Sequence, residues 1–211
     1  MAFKGMVDGD GQPKSAERVN SIPAIFQQDW MDDLTLDAAE ERFVNAPFGT
    51  LLPFQRTEAS WLIERVAVLA WALDQATLPP LYEKVNGAKV SVTLGMFQAD
   101  AKDRVERASL RNPDEIVMAA NTYIALMWRL QDFHRDRQAI DFRKKLTEKE
   151  GHLVVDGLEF EDGDLAIRGL PISKLSEDIL GLTSTVVYQR FRQFRWLIGL
   201  ERGESTVTAV N

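Results

Sequence analysis

Residues 112–150 read NPDEIVMAANTYIALMWRLQDFHRDRQAIDFRKKLTEKE, and this stretch decides the class of fold. Asn112 can cap a helix. Pro113 suits the first helical position, where its missing N–H would have had no partner, and Asp114 and Glu115 face the positive end of the helix dipole. After Pro113, no proline or glycine intervenes before Gly151. A continuous helix from 113 to 150 would be about 57 Å long at ~1.5 Å per residue. Ile116, Ala120, Tyr123, Leu126, Met127 and Leu130 line one face of its first half, whereas charges dominate beyond Phe133. The stretch therefore predicts a long helix projecting past the core, or two helices with a bend near 134–140. A projecting helix is marginal in water and needs support. Phe133, Ile140, Phe142 and Leu146 could supply it by folding back on the domain or by pairing with a second copy in an antiparallel homodimer. The dimer is the preferred expectation, with the alternating charges as its polar rim.

Upstream, Thr57 can cap a helix from Glu58 to about Gln75, ended by Pro79 and Pro80. Ala59, Leu62, Ile63, Val66, Leu69, Ala70 and Leu73 follow helical spacing. Trp61, Val68 and Trp71 add apolar bulk outside that stripe, which implies burial on more than one face. Pro47, Gly49 and Pro53 read as breaks, Lys89–Thr93 as a short strand, and Ala101–Leu110 as a short helix. Thr35 caps a further short helix to about Asn45. Downstream of Gly151, HLVV, Asp156-Gly157 and LEF predict a tight hairpin, because Asp-Gly readily adopts the positive φ angles of a type I′ turn. Asp162-Gly163 before DLAI adds a third strand. Ser173 or Ser176 opens the last helix, which runs to about Ile198 with Gly199 past its end. Its expected buried stripe is Leu175, Ile179, Leu182, Val186, Val187, Phe191, Phe194 and Ile198.

These elements define a mainly α-helical α+β fold: a helical core with a small antiparallel β-hairpin or meander at 152–167. Residues 1–33 read as a flexible arm, 34–200 as a single domain and 201–211 as a polar tail. The chain has 211 residues, 45% of them hydrophobic and 27% charged. At that length roughly 70% of the unfolded surface can be buried without disulfides or metals. There is no cysteine, which excludes disulfides, thiolate metal ligands and a catalytic thiol. Lys and Arg number 25 against 32 Asp and Glu, and the resulting charge of −7 opposes generic binding to nucleic acid. The N-terminus lacks a secretory apolar region and no apolar run is long enough for a membrane span, so a cytoplasmic location without membrane contact is expected.

The chemistry-bearing residues are sparse. His134 and His152 show no zinc-ligand spacing, so neither a metal nor a cofactor is expected. Gly9–Ser15 lacks the glycine directly before Lys14 and the preceding strand that a phosphate loop requires. Glu159, Glu161, Asp162 and Asp164 surround a turn without the order of a calcium loop, and read as a solvated turn. Glu64 stands out. Helical spacing places it on one face with Trp61, Val68 and Trp71, where a carboxylate needs a cation or a raised pKa. Arg190 and Arg192 of the last helix are the nominated partners. Trp61, Glu64, Trp71, Arg190, Arg192 and Trp196 form the candidate pocket. Tyr188, Arg192, Arg195, Trp196 and Gly199 share the helix side opposite its apolar stripe, an arrangement that can hold an anionic ligand or simply snorkel over a core.

Several segments occur together in the order of a known bacterial family. They are LTLDAAEERFVNAP, WLIERVAVLAWAL, RNPDEI, YIALMWR, DLAIRGLPIS and QRFRQFRWLIG. On these, over roughly residues 34–200, the chain resembles the domain of unknown function 4272 family. The resemblance identifies a domain and carries no reaction with it. Gln189 stands where the family usually has the Glu of a Glu-Arg pair, and Met118 and Asn121 stand where its long helix tends to carry aspartates.

Two functional expectations follow. The preferred one is a non-catalytic binding or protein-interaction domain. The alternative is an enzyme, or a degenerate one, acting on a small anionic substrate through the Glu/Arg/Trp pocket. The Gly- and Pro-containing, aperiodic N-terminus also predicts that deleting residues 1–18 leaves the thermal midpoint nearly unchanged. A fall of more than about 8 °C in a calorimetric scan would refute that reading.

Overall fold

In the computed structural model, described over residues 46, 50–96, 98, 100–148 and 155–200, the first helix, α1, spans Pro53–Ala72. It begins before the expected Thr57 cap. Pro53 starts the helix rather than breaking the chain, because its fixed φ is already helical and its absent N–H is one the first turn leaves unpaired. The Gln55 side-chain oxygen accepts from the Leu52 N–H at 2.9 Å, which secures the entry. α2 (Gly87–Thr93) replaces the expected strand at Lys89–Thr93. Asn86 caps it through a bond from the Lys89 N–H at 3.1 Å, and this local start overrides the β-branched composition. α3 spans Ala101–Arg107 and α4 spans Pro113–Asp136, the latter capped by Asn112 with Pro113 in its first turn as expected.

The bend between 134 and 140 is present. Arg137 takes a left-handed φ of 54° and ends α4, and α5 (Phe142–Glu148) turns back toward the domain. A buried ion pair holds the bend. The Arg129 guanidinium gives two parallel bonds of 2.7 Å to the Asp164 carboxylate and one of 2.8 Å to the Gln138 carbonyl. Asp164 in turn accepts from the Ile140 N–H at 3.3 Å. Phe142 and Leu146 are thereby buried, with Phe142 between Trp128 and Phe160. Phe133 is buried and Ile140 half-buried. The apolar residues proposed as a dimer seam are covered within one chain, so the dimer loses the observation that favoured it. Asp164 is also not part of a solvated turn, since it is buried as the partner of Arg129.

The sheet is a three-stranded antiparallel meander in the order β1 (Glu159–Glu161), β2 (Asp164–Ile167) and β3 (Leu170–Pro171). Glu161 pairs with Asp164 and Ile167 with Leu170, leaving two-residue turns at Asp162-Gly163 and Arg168-Gly169. All four turn residues have positive φ, as type I′ turns require. A side chain at Gly163 would also strike Asp141, at the start of the returning α5. Of the two Asp-Gly pairs downstream of Gly151, the second makes a hairpin. At the first, Asp156-Gly157, Val155 and Asp156 are not in a strand. That turn is instead pinned to α4, with the Asp156 N–H donating to the Thr122 hydroxyl at 3.1 Å. The proposed strand residues 152–154, the arm, the helix at 35–45 and the polar tail lie outside the described residues.

A 3-10 turn (Ile172–Lys174) leads to α6 (Glu177–Leu197), and Ser176, not Ser173, caps it. Its buried residues are Leu180, Thr183, Val186, Val187, Arg190 and Phe194. This stripe is rotated from the one expected, because Thr183 and Arg190 occupy core positions that an apolar count passes over. The same happens in α1, where Glu64 and the small Ala59, Ala67, Ala70 and Ala72 are buried, while Leu62, Val66, Leu69 and Leu73 are only half-buried. The main core joins Val68 of α1 to α4, α5, β2 and α6, and a smaller cluster of Ile63, Ala67, Val85 and Val90 lies between α1 and α2.

Removing one partner of the Arg129–Asp164 pair should be costly. Arg129→Met is expected to lower unfolding free energy by about 3–5 kcal/mol in urea titrations, with most of that recovered when Asp164→Leu is added. A double variant no more stable than the single one would contradict the assignment of the bend to this pair.

Candidate functional site

Glu64 sits midway along α1 and is fully buried. Both carboxylate oxygens are engaged. Oε1 accepts from the Val85 N–H at 2.7 Å, and Oε2 accepts from Arg190 Nε at 2.8 Å. Arg190, also fully buried, donates through Nη1 to the Pro79 carbonyl at 2.7 Å and to the Tyr123 hydroxyl at 3.2 Å. Its Nη2 is buried without a hydrogen-bond partner. α1 ends at Ala72, before the expected Gln75 and seven residues ahead of Pro79, and the loop that follows is itself part of the network through the Pro79 carbonyl and the Val85 N–H. Tyr123 stacks on Phe194 at 4.9 Å, and Trp71 meets the same ring edge-on at 5.3 Å. Burial pushes the Tyr123 hydroxyl pKa above the ordinary tyrosine value. Arg190 opposes that shift and the Glu64 charge adds to it.

The six residues of the candidate pocket divide into three environments. Glu64 and Arg190 form a direct ion pair, as nominated, and Trp71 borders it through Phe194. Trp61 is half-buried, with the Lys84 ammonium 4.1 Å above its ring and a Lys84 bond of 3.1 Å to the Ser60 hydroxyl. Burial lowers the Lys84 pKa and the Glu64 charge opposes that shift. Arg192 lies two residues beyond Arg190, about 200° around the helix, so it belongs to the outer face of α6 with Trp196, which is 50% exposed. Composition and spacing therefore found the ion pair but merged it with a surface.

Tyr123 and the Arg129–Asp164 pair escaped the sequence reading. Arg129 had a detectable signal, since it falls three residues after Leu126 and four before Phe133, inside the apolar stripe of α4. His134 bonds to the Ser184 hydroxyl through Nε2 at 2.9 Å, and His152 lies outside the described residues. Among the described residues, no group of three or more His, Cys, Asp or Glu side chains could hold a metal ion, and no helix is long and apolar enough to cross a membrane.

These features define a mainly helical α+β domain whose polar centre is an internal ion-pair network. Residues 31–150 match the family described as Domain of unknown function (DUF4272). That span exceeds half of the chain, which belongs to this family. The matched residues include Glu64, Tyr123 and Arg129 but end before Asp164 and Arg190, so each buried ion pair has one partner inside the match and one beyond it. No curated protein matches the chain, and no solved structure matches it.

Glu64→Ala should cost about 3–5 kcal/mol, because Arg190 is left buried and unpaired. A double-mutant cycle with Arg190→Met should give a coupling well above about 0.5 kcal/mol, and a smaller value would refute a direct pair.

Tyr123 gives a prediction of opposite chemical sense. A hydroxyl pKa raised by folding contributes stability that is complete below the unfolded value and is lost as pH rises through the folded one. Unfolding free energy should therefore fall above about pH 10, and Tyr123→Phe should flatten that limb. An alkaline limb unchanged in Tyr123→Phe would be inconsistent with this linkage.

Proposed function

We propose that this protein is a non-catalytic binding or protein-interaction domain of the bacterial cytoplasm. The observation that carries the reading is the state of Glu64. It is the one candidate catalytic carboxylate the sequence singled out, and both of its oxygens bond within the protein. A general acid or base must reach the proton it transfers, and Glu64 is fully buried behind Arg190, Val85 and α1 itself. A charged pair held this way sets the relative position of α1 and α6, an architectural role. The absence of cysteine suits a reducing compartment.

Untargeted mass spectrometry of a small-molecule extract incubated with the protein tests the reading. Wild-type and Glu64→Gln proteins, both verified as folded by circular dichroism, should leave the extract with the same composition over time. Time-dependent consumption of a compound by wild type, lost in Glu64→Gln, would establish the alternative, an enzyme acting on a small anionic substrate.

A further inference from the structure

We infer that Arg190 and Tyr123, beneath the loop that joins α1 to α2, form a binding site for one small oxyanion, a carboxylate or a phosphate group. The site deepens the proposed binding role and rests on it. What points to it is an excess of donors over acceptors in the buried network. In the Arg129–Asp164 pair, Nε and Nη2 of the guanidinium take the two oxygens of one carboxylate. Arg190 has the same two donors, but only Nε meets Glu64, because the second Glu64 oxygen accepts from the Val85 N–H at 2.7 Å. Nη2 is therefore buried with no acceptor among the described residues. The Tyr123 hydroxyl repeats the pattern. It accepts from Arg190 Nη1 at 3.2 Å, and its own proton has no acceptor among the described residues. Burial raises its pKa, so that proton is retained at neutral pH. The two unspent donors belong to groups in direct contact and lie within reach of one small ligand. A buried donor without an acceptor carries the full cost of its lost hydration, which an oxyanion would offset.

Charge selects an anion. Two cations, Arg190 and Lys84, act on a single carboxylate, Glu64. The Lys84 ammonium contacts the Trp61 ring and the Ser60 hydroxyl and has no ion pair among the described residues. A guanidinium edge presents coplanar donors that suit the spaced oxygens of a carboxylate or phosphate. Glu64 stays the partner of Nε, and the anion takes only the donors that Glu64 leaves. The loop supplies the way in. Residues 73–86 contain no helix or strand, and Val85 alone among them is buried. Connections this long are uncommon in compact domains and are usually functional. The Pro79 carbonyl and the Val85 N–H close the loop over the ion pair, and Lys84 is next to Val85 in the chain. Movement of the loop therefore uncovers Arg190 and carries a second cation with it.

The test is an NMR titration of the isotope-labelled full-length protein near neutral pH with sodium phosphate, sodium acetate and sodium chloride at matched ionic strength. Phosphate or acetate should shift the Val85 amide and Arg190 Nε–H resonances saturably at millimolar concentration, and chloride should not. The tighter of the two anions separates a phosphate site from a carboxylate one. Tyr123→Phe, which removes the hydroxyl and keeps the ring, should weaken that binding about tenfold. Lys84→Gln, which leaves Glu64, Arg190 and Tyr123 intact, should weaken it severalfold. The same spectra verify that each variant is folded, and Lys84→Gln decides alone if Tyr123→Phe is not. No saturable response to either anion, a response matched by chloride, or one that folded Tyr123→Phe leaves unchanged would overturn the site. So would a water cross-peak to the Tyr123 hydroxyl proton that persists at saturating phosphate and acetate, because an ordered water would then be the acceptor. Those results leave the interaction role standing. Glu64-dependent turnover in the mass-spectrometric assay is the separate result that would remove it.

Discussion

The pairing of Glu64 with Arg190 is the constraint on which the arrangement of the helices depends. Neither charge could be buried alone, because an isolated ion loses several kcal/mol of hydration in a protein interior. Buried together, they can be satisfied only in a narrow geometry. Arg190 Nε must reach Glu64 while Nη1 reaches the Pro79 carbonyl and the Tyr123 hydroxyl. One guanidinium therefore fixes α6 against α1, against the loop that leaves α1, and against α4. Apolar contacts such as Trp71 and Tyr123 on Phe194 add energy to that interface but tolerate sliding. The ion pair does not, which gives it a role in specifying the packing rather than merely strengthening it.

A second buried arginine does the equivalent work at the other end of α4. Arg129 ties the end of that helix to β2 and to the loop that turns α5 back. The consequence is that α1, α4, α6 and β2 are joined through two internal ion pairs. Arginine suits both places because its planar guanidinium can meet a carboxylate and carbonyls at once without giving up its charge. The two pairs also account for where polar chemistry is not available: Glu64, Asp164 and their arginines are committed to each other.

Much of this could be read from the chain alone. Asn112-Pro113-Asp114-Glu115 determined where α4 begins, since capping, a proline at the first position and the dipole all act locally. A serine cap for α6 was legible for the same reason, at Ser173 or Ser176, and Asp-Gly turn residues announced an antiparallel sheet. Glu64 was legible as a buried carboxylate because it interrupts an apolar period on its helix, and a buried charge demands an opposite one, with Arg190 and Arg192 both open as its partner. The family likewise followed from the order of short motifs.

Other features depended on contacts between residues far apart in sequence. Lys89–Thr93 has the composition of a strand but no strand beside it among the described residues, so the Asn86 cap prevails and a helix forms. Nothing local could choose between a projecting helix and a bend near 134–140. The choice is made by Asp164, which reaches Arg129 from 35 residues away and accepts the Ile140 N–H besides. The rotation of α6 was equally non-local: its buried stripe runs through Thr183 and Arg190 because Glu64 waits on α1, and Arg192 and Trp196 are consequently carried to the outside. The sequence by itself determined that the fold is mainly helical, where α4 begins, and that a buried carboxylate would need an arginine. Only the tertiary structure decided which arginine turned inward and which outward, because a charge can be paired at only one place once the rest of the core has closed around it.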